Sequence, residues 1–174
     1  VPYGFSPLSA QANSNVEAVV VSNVITGNQA SNGGSLWLYN NIITNTTEMY
    51  AYTLNNLVAQ NSHGVIVQNF PYYSRNDTIA YNALRGLTIF SSITSTGSAD
   101  ILNSIVYNND AEEIYKDMST PLRINYSIIG DGGGVGYGEG NLSSDPLFVN
   151  PAASNFRLQA ASPAINSAYA GPNN

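Results

Sequence analysis

One six-residue phrase returns along this chain and narrows the fold more than any other feature: Asn or Asp, any residue, Val or Ile, any two residues, then Asn or Asp. It reads Asn23-Val-Ile-Thr-Gly-Asn28, Asn40-Asn-Ile-Ile-Thr-Asn45, Asn56-Leu-Val-Ala-Gln-Asn61, Asp77-Thr-Ile-Ala-Tyr-Asn82 and Asn103-Ser-Ile-Val-Tyr-Asn108, with a degenerate copy at Tyr126-Ser-Ile-Ile-Gly-Asp131. Successive starts lie 17, 16, 21, 26 and 23 residues apart. Those steps are too irregular for a strict hexapeptide coil and too short for propeller blades of roughly 40 residues. A second element rides with the phrase, a glycine followed by apolar residues: Gly34-Ser-Leu-Trp-Leu38, Gly64-Val-Ile-Val67 and Gly86-Leu-Thr-Ile89. Each unit then reads as a short strand, an Asn corner, a second short strand, another Asn and a variable loop. Strands this short bury too little on their own, but stacked about 4.8 Å apart every backbone group gains a partner above and below.

The residue types fit that stacking. Val, Ile and Leu belong on inward positions, over like residues of neighbouring coils, and the corners need a residue that tolerates positive φ. Asn23, Asn40, Asn56 and Asn103 are therefore expected at the turns, passing amide hydrogen bonds from coil to coil as a ladder. The long excursions Asn69 to Arg75 and Ser91 to Ser98 are expected as loops. Charged residues make up only 9% of the chain, against roughly 25% in an average soluble domain. Asn and Ser supply the missing polarity, and such side chains favour turns over helix interiors, so little helix is expected. With 174 residues the chain fits one domain: an N-terminal arm or cap over 1–16, about seven short coils over 17–140, and a closing segment over 141–174.

The tail carries the most specific motifs: Gly140-Asn-Leu-Ser-Ser-Asp-Pro-Leu-Phe-Val-Asn-Pro151, then Asn155-Phe-Arg-Leu158 and Ser162-Pro-Ala-Ile-Asn166. With the repeat, these resemble the closing segments of right-handed parallel β-helix proteins of the pectate-lyase-like superfamily, from about Glu17 to the end. The resemblance implies an all-β, right-handed, single-stranded parallel β-helix in which "DPLFV" and "FRL" form final strands and "SPAI" tucks against the end of the solenoid. It does not imply one function, because the superfamily hosts lyases, hydrolases, adhesins and spike proteins. The chain departs from the family at its front, where no amphipathic cap precedes the first coil. Either the first 16 residues fold over the open end or another subunit covers it.

Function classes narrow by chemistry. A formal charge of −6 and five scattered Lys and Arg argue against nucleic acid. No apolar run approaches the roughly 18 residues of a membrane-spanning helix. There is no cysteine, hence no disulfide and no thiolate metal site. A start at Val1 fits signal-peptide removal, so a secreted or cell-surface location is expected. The β-helix lyases that the chain resembles need calcium-holding carboxylates with an Arg or Lys on one face. Here Arg75, Asp77, Arg85, Asp100, Asp110, Glu112, Glu113, Lys116, Asp117 and Arg123 fall mostly in turns or loops. Polygalacturonase-like members need adjacent aspartates and Gly-His-Gly, which Asn61-Ser-His63-Gly64 only half matches. His63, the sole histidine, reads as a hydrogen-bonded corner rather than a catalyst. Asp131, Glu139 and Asp145 bracket a glycine-rich loop whose oxygens suit calcium, without the spacing of a known calcium motif. The sequons at Asn45, Asn76, Asn125 and Asn141 permit surface sugars.

The leading expectation is a non-enzymatic extracellular structural protein, a surface or filament subunit that self-associates head to tail, with no catalytic residue and no cofactor. Val1, Pro2, Tyr3, Phe5, Leu8, Leu147, Phe148 and Phe156 are the expected subunit contacts. The alternative is a carbohydrate-binding or polysaccharide-cleaving module with Tyr72, Tyr73, Arg75 and Asp77 as its groove. A spike or adhesin fragment is a third.

Overall fold

The computed structural model describes residues 8–9, 17–29, 35–39, 50–90, 98–117, 120–132, 134 and 136–171. Val1, Pro2, Tyr3, Phe5, Asn40 and Asn45 lie outside them. Fifteen strands deal themselves in rotation into three parallel sheets of five. Sheet A holds β1 (Leu8–Ser9), β4 (Leu36–Tyr39), β7 (Val65–Gln68), β10 (Arg85–Phe90) and β13 (Glu112–Lys116). Sheet B holds β2 (Glu17–Val21), β5 (Tyr50–Leu54), β8 (Tyr72–Arg75), β11 (Ala99–Leu102) and β14 (Leu122–Asn125). Sheet C holds β3 (Val24–Thr26), β6 (Leu57–Ala59), β9 (Thr78–Ala80), β12 (Ile105–Tyr107) and β15 (Ile128–Ile129). Each strand pairs in register with the strand three places on, the arrangement of a parallel β-solenoid; no α-helix occurs among the described residues. Within the expected arm, Leu8 and Ser9 pair in parallel with Leu38 and Tyr39 of β4.

Rows of like side chains fill the interior. On sheet C, Ile25, Val58, Ile79, Val106 and Ile129 stand over one another, and on sheet A so do Leu36, Val65, Leu87 and Ile114. All but the end members are buried or nearly so, and each fully buried aliphatic side chain contributes about 1.5–3 kcal/mol of transfer free energy. Sheet B is built differently. Its first inner row runs Ala18, Ala51, Tyr72, Ala99, Leu122, so small alanines leave room for one large ring. Tyr72 is fully buried there. Its strand lies inside a stretch that the sequence reads as a loop, because Tyr72-Tyr-Ser-Arg75 alternates inward and outward without an apolar pattern.

The corners correct the reading of the phrase. Positive φ falls at Ser22, Asn55, Asn76, Asn103 and Tyr126 between sheets B and C, and at Gly27, Gln60, Tyr81 and Asn108 between C and A. The ladder residue follows each of them. Asn23 and Asn56 are thus ladder residues, not the left-handed ones, whereas Asn103 is the left-handed one and Ser104 takes the ladder position. True coil steps along this ladder are 33, 21, 27 and 23 residues. The Asn40 copy lies between Asn23 and Asn56 in number and outside the described residues.

Two glycines stack for want of space. A Cβ on Gly64 would run into the Gly86 carbonyl, and one on Gly86 would meet the Asn109 side chain and the Glu113 carbonyl. These contacts explain the glycines that precede Val65 and Leu87 on sheet A.

The closing segment lies along the flank rather than over the end. β16 (Phe148–Asn150) and β17 (Asn155–Leu158) pair antiparallel, and their Phe148 and Phe156 rings pack on Tyr81. Gln60 on the flank donates to the Pro151 carbonyl and accepts from Ser154. Further on, the Asn103 side chain accepts from the Tyr169 N–H at 2.8 Å and donates to its carbonyl at 3.1 Å. Beneath this cover the outward-facing Ala59 and Ala80 of sheet C are fully buried, which is why those strands are apolar on both faces.

Candidate functional site

The expected groove does not assemble. Tyr72 and Asp77 face inward, with exposures of 0% and 2%, while Tyr73 and Arg75 face out. On the outer face of sheet B the Tyr52 and Tyr73 rings stack at 5.0 Å and 15°, with Tyr50 tilted against both. The Arg75 guanidinium lies 5.6 Å from the Tyr73 centroid and forms an ion pair with Asp100 at 2.9 Å. Tyr73 is thus flanked by Tyr52 and by Arg75. A sugar stacks on a free aromatic face, and here Tyr52 and Arg75 compete for those of Tyr73.

Asp77 belongs to a buried polar network. Its Oδ2 accepts from Thr53 Oγ1 at 2.6 Å and Ser74 Oγ at 2.7 Å, and its Oδ1 from the Asn56 N–H at 2.9 Å and Nδ2 at 3.0 Å. The Tyr72 hydroxyl shares a 2.6 Å bond with Thr53 Oγ1, and burial, with the Asp77 charge, pushes its pKa well above the usual range. Sequence reasoning missed Thr53 and Ser74. The signal available was polar residues on the inward parity of strands.

The other candidate residues are also dispersed. Among the described residues no group of three or more His, Asp and Glu could hold a metal ion. Asp145 accepts from the Leu147 N–H, Glu139 from the Tyr126 hydroxyl, and Asp131 lies near Glu113, so the expected calcium trio is not gathered. Glu113 is buried instead and closes the second ladder. Its carboxylate accepts from the Asn108 N–H at 2.7 Å, the Asn109 N–H at 3.3 Å and Asn109 Nδ2 at 2.6 Å. Burial pushes its pKa above the usual range against those bonds. His63 sits beside Arg85; burial and then that charge lower its pKa, and its Nδ1 has no hydrogen-bond partner. Leu147, Phe148 and Phe156 are not at an end of the stack, and Phe148 is buried against the chain's own flank.

The two ends of the stack carry the features that remain. The half-buried hydrophobic residues of the core are Val20, Ile25 and Leu36 at one end and Ile114 and Leu122 at the other. The sheet A row thus ends in half-buried apolar surface on both sides, at Leu36 and Ile114, whereas Ile124 and Ile129 at the far end of sheets B and C are fully buried. Among the described residues β1, β2 and β3 each pair along one edge only. At the opposite end, Ile124 and Tyr126 donate to the carbonyls of Tyr137 and Glu139, and Leu142 pairs with Ile128 and Ile129. The Gly136 to Leu142 stretch thus starts a further coil, and its residues 136–140 are exposed.

The fold and these ends define the class only as an all-β protein of stacked parallel strands. No protein-family model, curated protein or solved structure matches the chain.

Proposed function

We propose that this chain is an extracellular structural subunit, a right-handed parallel β-helix of the pectate-lyase-like kind, that stacks end to end into a surface filament. The single observation that carries the reading is the pair of unlike ends: among the described residues β1, β2 and β3 pair along one edge only, while at the other end β13 does so and the Gly136 to Leu142 stretch lies over β14 and β15 with residues 136–140 exposed. An exposed parallel edge is a template for another chain, and a heterologous contact between unlike ends does not close on itself. The reading assigns no catalysis. The outer tyrosines of sheet B serve as a self-stacked ladder that stiffens the flank.

The test is particle size. Sedimentation velocity and negative-stain microscopy of the protein are expected to show concentration-dependent fibres, and Val24→Glu, which puts a charge on the exposed residue of β3, is expected to leave folded single particles with native circular dichroism. Single particles of the native protein at all concentrations, or fibres unchanged by Val24→Glu, overturn the proposal.

A further inference from the structure

The first ladder has a direction. In each step the backbone N–H of the earlier coil donates to the side-chain oxygen of the later one: Asn23 to Asn56 at 3.0 Å, Asn56 to Asp77 at 2.9 Å, Asp77 to Ser104 at 3.2 Å, Ser104 to Ser127 at 3.1 Å and Ser127 to Asn141 at 3.2 Å. The series therefore begins with an acceptor that no earlier rung uses, Asn23 Oδ1, and ends with a donor that no later rung uses, the Asn141 N–H. Among the described residues neither has a partner for that group. The second ladder cannot propagate, because the Glu113 carboxylate ends it.

The side chains continue the same register. The outer row of sheet C runs Val24, Leu57, Thr78, Ile105, Ile128 and then Leu142. Val24 is 72% exposed, although it heads a row whose Ile128 is buried. At the far end, the bonds from Ile124 to the Tyr137 carbonyl and from Tyr126 to the Glu139 carbonyl set Gly138 opposite Ile124. A Cβ there would strike the Ile124 carbonyl and the Asn125 side chain. Position 138 is glycine because it lies flat on the last coil, and a flat end presents backbone to whatever comes next.

From this we infer the polarity and register of the contact: the Gly136 to Leu142 stretch of one copy receives the β2–β3 edge of a second copy, with the Asn141 N–H donating to Asn23 Oδ1 and Leu142 seated on Val24. The occupant is a second copy of this chain, because its first coil carries the acceptor, the apolar residue and the spacing that the last coil lacks. The inference rests on the end-to-end stacking proposed above.

Cysteine cross-linking tests it, since the chain has no cysteine of its own. Within one copy, positions 24 and 142 are five strand steps apart, about 24 Å at ~4.8 Å per step, whereas a disulfide needs Cα atoms roughly 4.4–6.8 Å apart. Val24→Cys carrying a size tag, mixed with untagged Leu142→Cys under mild oxidation, is expected to give the mixed dimer as the main product. The double variant is expected to give a ladder of covalent multimers. Fibres that form without the mixed product, or with Val24→Cys homodimers instead, overturn this polarity and leave stacking intact; absence of fibres in the unsubstituted protein removes both readings. If the thiol variants do not assemble, Val24→Lys and Leu142→Glu decide: each alone is expected to block fibres and the mixture to restore them, and a mixture that stays unassembled overturns the register.

Discussion

Replacing Asp77 separates a ladder residue from a surface one. Its four acceptor contacts come from two N–H groups of Asn56 and two hydroxyls, those of Thr53 and Ser74. Asp77→Ala removes them all. The hydroxyls have other partners within reach, because Thr53 Oγ1 already lies 2.6 Å from the Tyr72 hydroxyl and Ser74 Oγ 3.3 Å from Ser104 Oγ. The two Asn56 donors do not, and each buried unsatisfied donor costs about 1–3 kcal/mol. With the lost packing, the expected destabilisation is about 3–5 kcal/mol, which lowers Tm by roughly 2–4 °C per kcal/mol for a chain of this size. Asp77→Asn behaves differently, because Asn is the usual ladder residue: its Oδ1 still accepts from Asn56 and its Nδ2 meets hydroxyls that rotate to accept. The expected change is under about 1 kcal/mol. Urea denaturation followed by circular dichroism measures both. An Asp77→Ala variant within about 0.5 kcal/mol of native, as for an exposed residue, refutes the buried-network account.

Two further outcomes follow from the interior. Gly64→Ala pushes a methyl group into the Gly86 carbonyl and is expected to cost about 2 kcal/mol or more, read as a shift of the urea midpoint; an unchanged midpoint refutes the close approach. Glu113 has a folded pKa raised by burial, so the folded state holds its proton more tightly than the unfolded chain. Its contribution is then complete below the unfolded value of about 4.3 and is lost as pH rises through the folded value. Glu113→Gln is expected to remove that slope from the stability–pH curve while lowering stability at neutral pH by about 1–3 kcal/mol, because one of its oxygens becomes a donor facing donors. An identical slope in the variant assigns the pH dependence elsewhere.

The sequence by itself determined the local rules of this protein: the repeat, the β-branched inner rows, the near-absence of helix and the side-chain ladder. Those are short-range or periodic effects, since the phrase places Val58 and Ile79 on one parity whatever the coil length; in the Asn103 copy the inward residue is Val106, one place later than the phrase puts it. Which residue turns the corner lay one position away from the reading, because Ser22, Gln60 and Tyr81 take positive φ under tertiary constraint although nothing in their chemistry announces it. Only the assembled stack decided which polar residues are interior. Asp77 reads as a surface charge until Thr53 of the neighbouring coil meets it beside Ser74, three residues earlier on β8. The same holds for the tail, whose motifs were legible but whose place was not. Phe148 and Phe156 find Tyr81 on the flank because Ala59 and Ala80 leave an apolar face there, a surface that exists only once separate coils lie side by side.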